Sequence, residues 1–476
     1  MKQHLAVIFL VAERAQSFAT IPSDRGNNIA TGEASTALGQ MTNASGVAST
    51  ALGQMTTASG EASVAMGQLS GAWGEASTAM GQGAQAWELA STAMGQGAQA
   101  WELASTAMGQ GTQAWELAST AMGQGTQAEG FISTAMGQLT TASGFYSTAM
   151  GQMNNASGEA STAMGKETSA SGFYSTVMGW RTAASGEAST AMGVLTSASG
   201  RQSTAIGFDT AASGTTATAM GTGTTAEGAS STAMGSGARA SGAGSTAMGV
   251  RTAASGSHST AMGKLSEASG PISTAMGWIT KASGVWSTAM GYVTTASGRG
   301  STAMGQETSA SGDWSTAIGS ETTALGEAST AMGVATNASG KASTAMGFMT
   351  NASSYAEIAI GRFNEVSADG GEDQWRDEDA ILRVGVGSAS SAPKDAFRVL
   401  KSGAVLVAAT DGTGMHNVAK LLEEASGRRL SQQAAGEERL AQLENENTEL
   451  RTRATALEAR VAALEAAVAA KLVIKS

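Results

Sequence analysis

Ser77-Thr78-Ala79-Met80-Gly81 is the phrase from which the rest of this chain can be read. Its closing glycine recurs at Gly39, Gly53, Gly67 and Gly81, and then every 14 residues as far as Gly361, which makes 24 units in one register. A fixed period held over this length is the signature of a solenoid, in which each unit is one coil that cannot bury its apolar side alone. The full unit is seen in Gln54-Met55-Thr56-Thr57-Ala58-Ser59-Gly60-Glu61-Ala62-Ser63-Val64-Ala65-Met66-Gly67.

Two short segments of each unit alternate with period two, the strand signal. In Ser-Thr-Ala-Met-Gly, Thr and Met share one face while Ser and Ala share the other. Gly at every seventh residue and Thr/Ser-rich filling oppose a helix. The two glycines of each unit are expected at the turns, where positive φ carries no Cβ penalty. Ala30 and its equivalents to Ala352 are present in all 24 units, and the residue before the closing glycine is Met in 19 of them. Large apolar residues at so regular a position predict a core, so Met80, Met94, Met108 and Met122 are expected to form an inward ladder with Thr beside them. The Ser/Ala face is then left smooth for sister chains. One buried Met contributes roughly 1.5–3 kcal/mol, whereas ordering 14 residues of backbone costs roughly 14–28 kcal/mol. A slender roll is therefore expected to pack against other copies.

Composition narrows the function. Net charge is −11, and no Lys/Arg cluster is present to neutralise phosphates, so nucleic acid is excluded as a partner. There is no cysteine, which fits an exported protein and removes disulfide and thiol chemistry. No run of 18 apolar residues exists for a transmembrane helix. The segment Met1–Ala12 pairs a basic start with a short apolar run, and reads either as a secretion signal or as a cap over the first coil.

Ser-Thr-Ala-Met-Gly with Ala-Ser-Gly seven residues earlier resembles the 14-residue head repeat of YadA-like trimeric autotransporter adhesins, whose motif runs Ser-Val-Ala-Ile-Gly. Here Thr replaces Val, except at Val64, and Met mostly replaces Ile. The resemblance implies a mainly β fold: a left-handed parallel β-roll, three chains to a head. It spans residues 30–361, and the family's C-terminal membrane-anchor barrel has no counterpart in the motifs seen here. Residues 1–29 are read as a leader or cap and 30–361 as the roll. Residues 362–414, which contain Ala396-Phe397-Arg398-Val399-Leu400-Lys401 and an acidic loop with Trp375 as its anchor, are read as a β-rich neck.

Residues 415–476 are expected to be a coiled-coil stalk. Leu440, Asn447, Ala454, Val461 and Val468 are spaced by seven, as are Leu443, Leu450, Leu457 and Leu464. Asn447 at an a position is a register and oligomer-number device. β-branched a with Leu d favours dimers, whereas the head resemblance implies a homotrimer, which is preferred here.

Trp73, Trp87, Trp101 and Trp115 lie 14 apart and predict a ladder of indoles. They are candidates either for a ligand stripe, binding carbohydrate or an apolar partner such as a matrix protein, or for structural stacking. Phe131, Phe145, Tyr146, Phe173, Tyr174, Trp286 and Trp314 fall in the variable corner after Ala-Ser-Gly. Only His4, His258 and His416 are present, far apart in sequence, so His-based triads and His metal sites have no support. Isolated carboxylates such as Asp209 and Asp313 give no paired acid and base. No catalytic residue, metal or cofactor is expected. The function expected is non-enzymatic multivalent adhesion by an extracellular or cell-surface fibre. A structural spacer of the phage or virion fibre type is the alternative, and an ice-binding solenoid a further one that requires outward Thr rows.

Overall fold

The computed structural model describes residues 27–366, 373–409 and 414–420, together with scattered positions between 443 and 457. Each 14-residue unit contributes one long strand, such as Thr106–Gln110, and one two-residue strand, such as Gln113–Ala114. Long strands pair only with long strands of adjacent coils, and short with short, always parallel and always with a shift of one full unit: Thr106 faces Thr120 and Ala107 faces Ala121. The product is a roll of 24 coils with two sheets, each strand lying across the long axis. At about 4.8 Å per coil the roll is about 110 Å long.

The interior differs from the sequence expectation in one respect that matters for function. Ala79, Ala93, Ala107 and their equivalents are fully buried, as are the Ser column (Ser77, Ser91, Ser105), the Thr column (Thr42, Thr56, Thr112) and the second Ala column (Ala86, Ala100, Ala114). Met80, Met94, Met108 and Met122 are half-buried on the outer face of the long sheet, with Thr78, Thr92, Thr106 and Thr120 beside them. The alternation is as expected, but its sign is reversed: Ser and Ala point in, Thr and Met out. The reason is steric. Two sheets closed by 14 residues leave a space so narrow that the bulkiest fully buried side chains within the roll, Glu357 apart, are Val177, Asn154 and Thr. A four-bond Met side chain does not fit there, and a small interior packs to native density only with small residues.

Of the two glycine columns, the closing one has the expected positive φ, as at Gly39 and Gly53, whereas the Ala-Ser-Gly column does not, and both answer to a second constraint. A Cβ on Gly46 would lie 2.0 Å from the carbonyl oxygen of Gly60, and one on Gly39, which has φ +139°, 1.7 Å from that of Gly53. The columns are glycine because successive coils meet backbone to backbone. The left-handed turn residues are their neighbours, mostly not glycine: Ala48, Met55, Ala62 and Leu69, at seven-residue steps, have φ between 53° and 57°. Each donates its N–H into the coil below, as Met55 does to the Gln40 carbonyl at 2.8 Å and Ala62 to that of Val47 at 2.7 Å. Those bonds, repeated at every turn, hold an otherwise unfavourable conformation.

After Gly361 the long sheet is extended by Ala380–Val386, parallel to Ile358–Arg362, and then by the antiparallel strands Asp395–Leu400, Val405–Ala408 and Met415–Asn417. This neck is riveted by ions. Glu357 stands where every other coil has Ser or Ala, and is fully buried with Arg383 and Asp395. Arg383 donates from Nε to Glu357 at 2.6 Å and from Nη1 to Asp395 at 3.2 Å. The second Glu357 oxygen accepts the N–H groups of Ser353 and Ser354. Trp375 is exposed and lies over the ammonium of buried Lys401, 5.3 Å from its ring centre, so it covers a cation and does not anchor a core. Of the nine expected seam positions, Leu443, Asn447, Leu450, Ala454 and Leu457 are described and helical; Leu440, Val461, Leu464 and Val468 lie outside the described residues.

Candidate binding surface

What the roll offers to a partner is a set of columns, each made of one position repeated along the axis. Because register is one whole unit per coil, any residue type repeated at 14-residue spacing becomes a continuous stripe.

The indole column is such a stripe. Trp73, Trp87, Trp101 and Trp115 stack ring on ring, with centroid separations of 4.0, 5.0 and 5.2 Å. Gly71 makes room at the start, since a Cβ there would lie 2.2 Å from the Trp73 ring. The faces between neighbouring rings are occupied by one another, so the column presents indole edges outward. Beside it run Glu88, Glu102 and Glu116, all exposed, and Leu89 and Leu103, 42% and 39% exposed. Farther along the same corner stand Ile132, Phe145, Tyr146, Phe173 and Tyr174, all exposed, with the Phe131 ring packed edge-on against Phe145 and Tyr146.

The opposite corner carries a second ladder. Nine glutamines from Gln40 to Gln152 bond in series, each side-chain Nε2 donating to the Oε1 one coil earlier at 2.8–3.2 Å. Beyond Gln152 the same column is taken by Lys166, Trp180, Val194, Phe208 and others. The glutamine spacing was visible in the sequence; its use as an amide ladder follows only once the register is known.

From Lys166 onward, charges pair between coils. Arg181 bonds Glu167 at 2.6 Å, and Arg201–Glu187, Arg239–Glu227, Lys281–Glu267 and Lys341–Glu327 repeat the arrangement. The hydrogen bond donated by Arg181 holds the Glu167 carboxyl below its usual range, and the one that Lys341 donates to Glu327 holds the Lys341 ammonium above its own. Arg299 lies over two indoles, 4.7 Å from the Trp286 ring centre and 5.6 Å from that of Trp314.

The third surface is the long sheet itself, with an outward column of Thr interrupted by Val64 and closed by Ile358, and an unbroken one of Met, Leu or Ile. Among the described residues no group of three or more His, Cys, Asp or Glu converges as metal ligands, and no helix is long and apolar enough to cross a membrane.

Sequence comparison agrees with this geometry. The family profile described as the YadA head domain repeat, two copies per match, aligns in overlapping and consecutive windows from residues 30–54 to residues 324–353. The chain belongs to the YadA head repeat family. No curated protein matches it. The YadA head matches begin at the first coil and run to within one coil of the last, so the roll and the matched region coincide. Met80, Met94, Met108 and Met122 then belong to the outer surface of a YadA head roll, and the four tryptophans to a stacked column at its corner.

Proposed function

We propose that this chain forms the head and neck of a homotrimeric fibrous adhesin displayed outside the cell, with three rolls packed through their long sheets. One observation carries this reading: an unbroken column of Met, Leu and Ile stands half-exposed on the outer face of all 24 coils. A soluble single roll would hold that apolar stripe against water along its whole length, whereas monomers seldom expose contiguous apolar patches beyond a few hundred Å². Leu450 and Leu457, exposed on helical positions, favour association at the stalk as well.

Adhesion is assigned to the columns that vary around the corners, because contacts repeated along a shaft add avidity without needing a strong single site. The family membership supports an adhesin-like fibre. Light scattering on residues 20–476 is expected to give the mass of three chains, and one chain overturns the assembly. Immobilised glycan and matrix-protein arrays then test adhesion, and uniform silence fits a structural spacer instead.

One observation favours a second reading. The Thr column faces out, which meets the requirement for ice binding that the expected inward Thr would have failed. The neighbouring column is Met and not a second Thr, and the two readings compete for the same sheet. Suppression of ice recrystallisation by a monomeric roll is the result that would select it.

A further inference from the structure

The roll is divided electrically. Residues 27–165 contain eight glutamates and no Asp, Lys, Arg or His. Residues 166–361 contain nine Lys or Arg and ten Asp or Glu, and there five of the glutamates are bridged to a cation on a neighbouring coil. One half pairs most of its acidic groups with cations; the other has no cation of its own to pair them with.

Those carboxylates are concentrated on an apolar ridge. Glu88, Glu102 and Glu116 occupy the column that is glycine in most coils, and stand directly above one another, about 4.8 Å apart by the parallel register. They are exposed and make no ion pair. On one side is the indole column, and on the other Leu89, Leu103 and Leu117. Glu75 continues the Leu column at one end and Glu129 the Trp column at the other, so carboxylates frame the ridge. Like charges stacked at this spacing disfavour the free roll, and they occur where bulky apolar groups are also left in water. The same Trp-Glu-Leu triplet is presented three times, one coil apart.

We propose that this ridge, formed by residues 87–117, is a docking face for a basic polypeptide segment in which Lys or Arg alternates with bulky apolar residues. Charge complementarity selects that occupant. Nucleic acid and anionic membranes are repelled by the same carboxylates. A neutral glycan stacks on ring faces, and these are largely taken up by neighbouring indoles. Strands lie across the axis with their backbone groups already paired, so the partner is held by side chains and not by strand addition. Ammonium or guanidinium groups meet the glutamates, while apolar side chains lie against the leucines and indole edges. The proposal names the partner class for the adhesive reading above and rests on it.

The test uses the full chain and a labelled alternating Lys-Leu peptide, read by fluorescence anisotropy at two salt concentrations. The triple variant Glu88→Gln, Glu102→Gln, Glu116→Gln is expected to weaken binding about tenfold or more, with most of the salt dependence lost. Glu159→Gln, Glu307→Gln, Glu321→Gln removes the same charge elsewhere and is expected to change affinity less than about twofold. Oligolysine of equal charge is expected to bind about tenfold more weakly, and Leu89→Ser, Leu103→Ser, Leu117→Ser to erase that difference. Equal losses in the two glutamine variants, or equal binding of the two peptides, overturn the proposal. Ridge-dependent pairing of fibres without peptide binding also overturns it, in favour of a second copy. Exposed Glu→Gln changes leave the fold intact, which native mass checks. A trimer that still adheres to surfaces but ignores the peptide sinks this inference alone.

Discussion

Gly193 and Gly97 sit in the same roll under different constraints. At Gly193, φ is +127° and an added Cβ would meet the Gly207 carbonyl oxygen at 1.9 Å, so neither coil can yield without breaking register. At Gly97, φ is +67° and nothing lies within 4 Å. Gly193→Ala is therefore expected to destabilise by roughly 4 kcal/mol or more, and Gly97→Ala by about 1 kcal/mol, the ordinary difference between Gly and Ala in the left-handed region. Paired urea-unfolding midpoints check this, and equal shifts would refute the steric account. At this scale the sequence was legible in its spacing and half legible in its cause, since the closing glycines do hold positive φ and the Ala-Ser-Gly glycines do not. Glycine every seven residues pointed to two turns per unit, and two turns exist. The left-handed residues, however, are Ala188, Leu195 and Val293, types that carry no such preference. They are fixed by inter-coil hydrogen bonds that no local propensity encodes.

Elements show the same division. Period-two alternation identified the strands and sorted their faces correctly, with Ser and Ala on one side and Thr and Met on the other. It could not say which side faced in, because the rule that large apolar residues go inside assumes room for them. Here the width of a 14-residue coil decides. Ala191→Leu is accordingly expected to destabilise the roll by about 2–3 kcal/mol or more by overpacking, while Met192→Ala in an isolated roll changes stability by under about 1 kcal/mol, as for a half-exposed side chain. Thermal melting of single-chain fragments distinguishes them, and the opposite order would restore the inward Met. The neck's ion cluster left only a trace in the sequence, a glutamate at position 357 in a column of serines. Its partners, Arg383 and Asp395, follow 26 and 38 residues later and have no period to announce them. Arg383→Met leaves the buried Glu357 carboxylate without its cation, while Asp395 keeps Arg398 at 2.7 Å, and is expected to cost about 3–5 kcal/mol. Hydrogen exchange should quicken in Ile358–Arg362 and Ala380–Val386 and stay unchanged in mid-roll coils. Adding Glu357→Ser, the column's usual residue, should recover part of the loss.

For the whole molecule, the relevant property is that each coil touches only its neighbours, so stability is nearly a sum along one dimension and length is free to vary. A stripe that serves assembly must then be continuous, and one that serves recognition need not be. The outward Met, Leu or Ile column is present in all 24 coils, whereas tryptophans, glutamines and paired charges each occupy only a stretch. That difference argues that the long sheet is where sister chains meet and the corners are where partners are chosen. Met178→Lys tests it. In one roll Met178 is half-exposed, beside Thr176 on the open face, and its ammonium would reach water with little effect on folding. In a trimer packed through the long sheets it places three cations in one apolar seam, a loss of several kcal/mol per ammonium that the lysines can relieve only by separating the rolls. The substituted chain is therefore expected to keep its β-rich circular dichroism while its native mass falls, or its trimer melts at a far lower temperature. A trimer of unchanged stability would show that the Met face looks outward in the assembly too, and the corners would then have to supply the contact between chains.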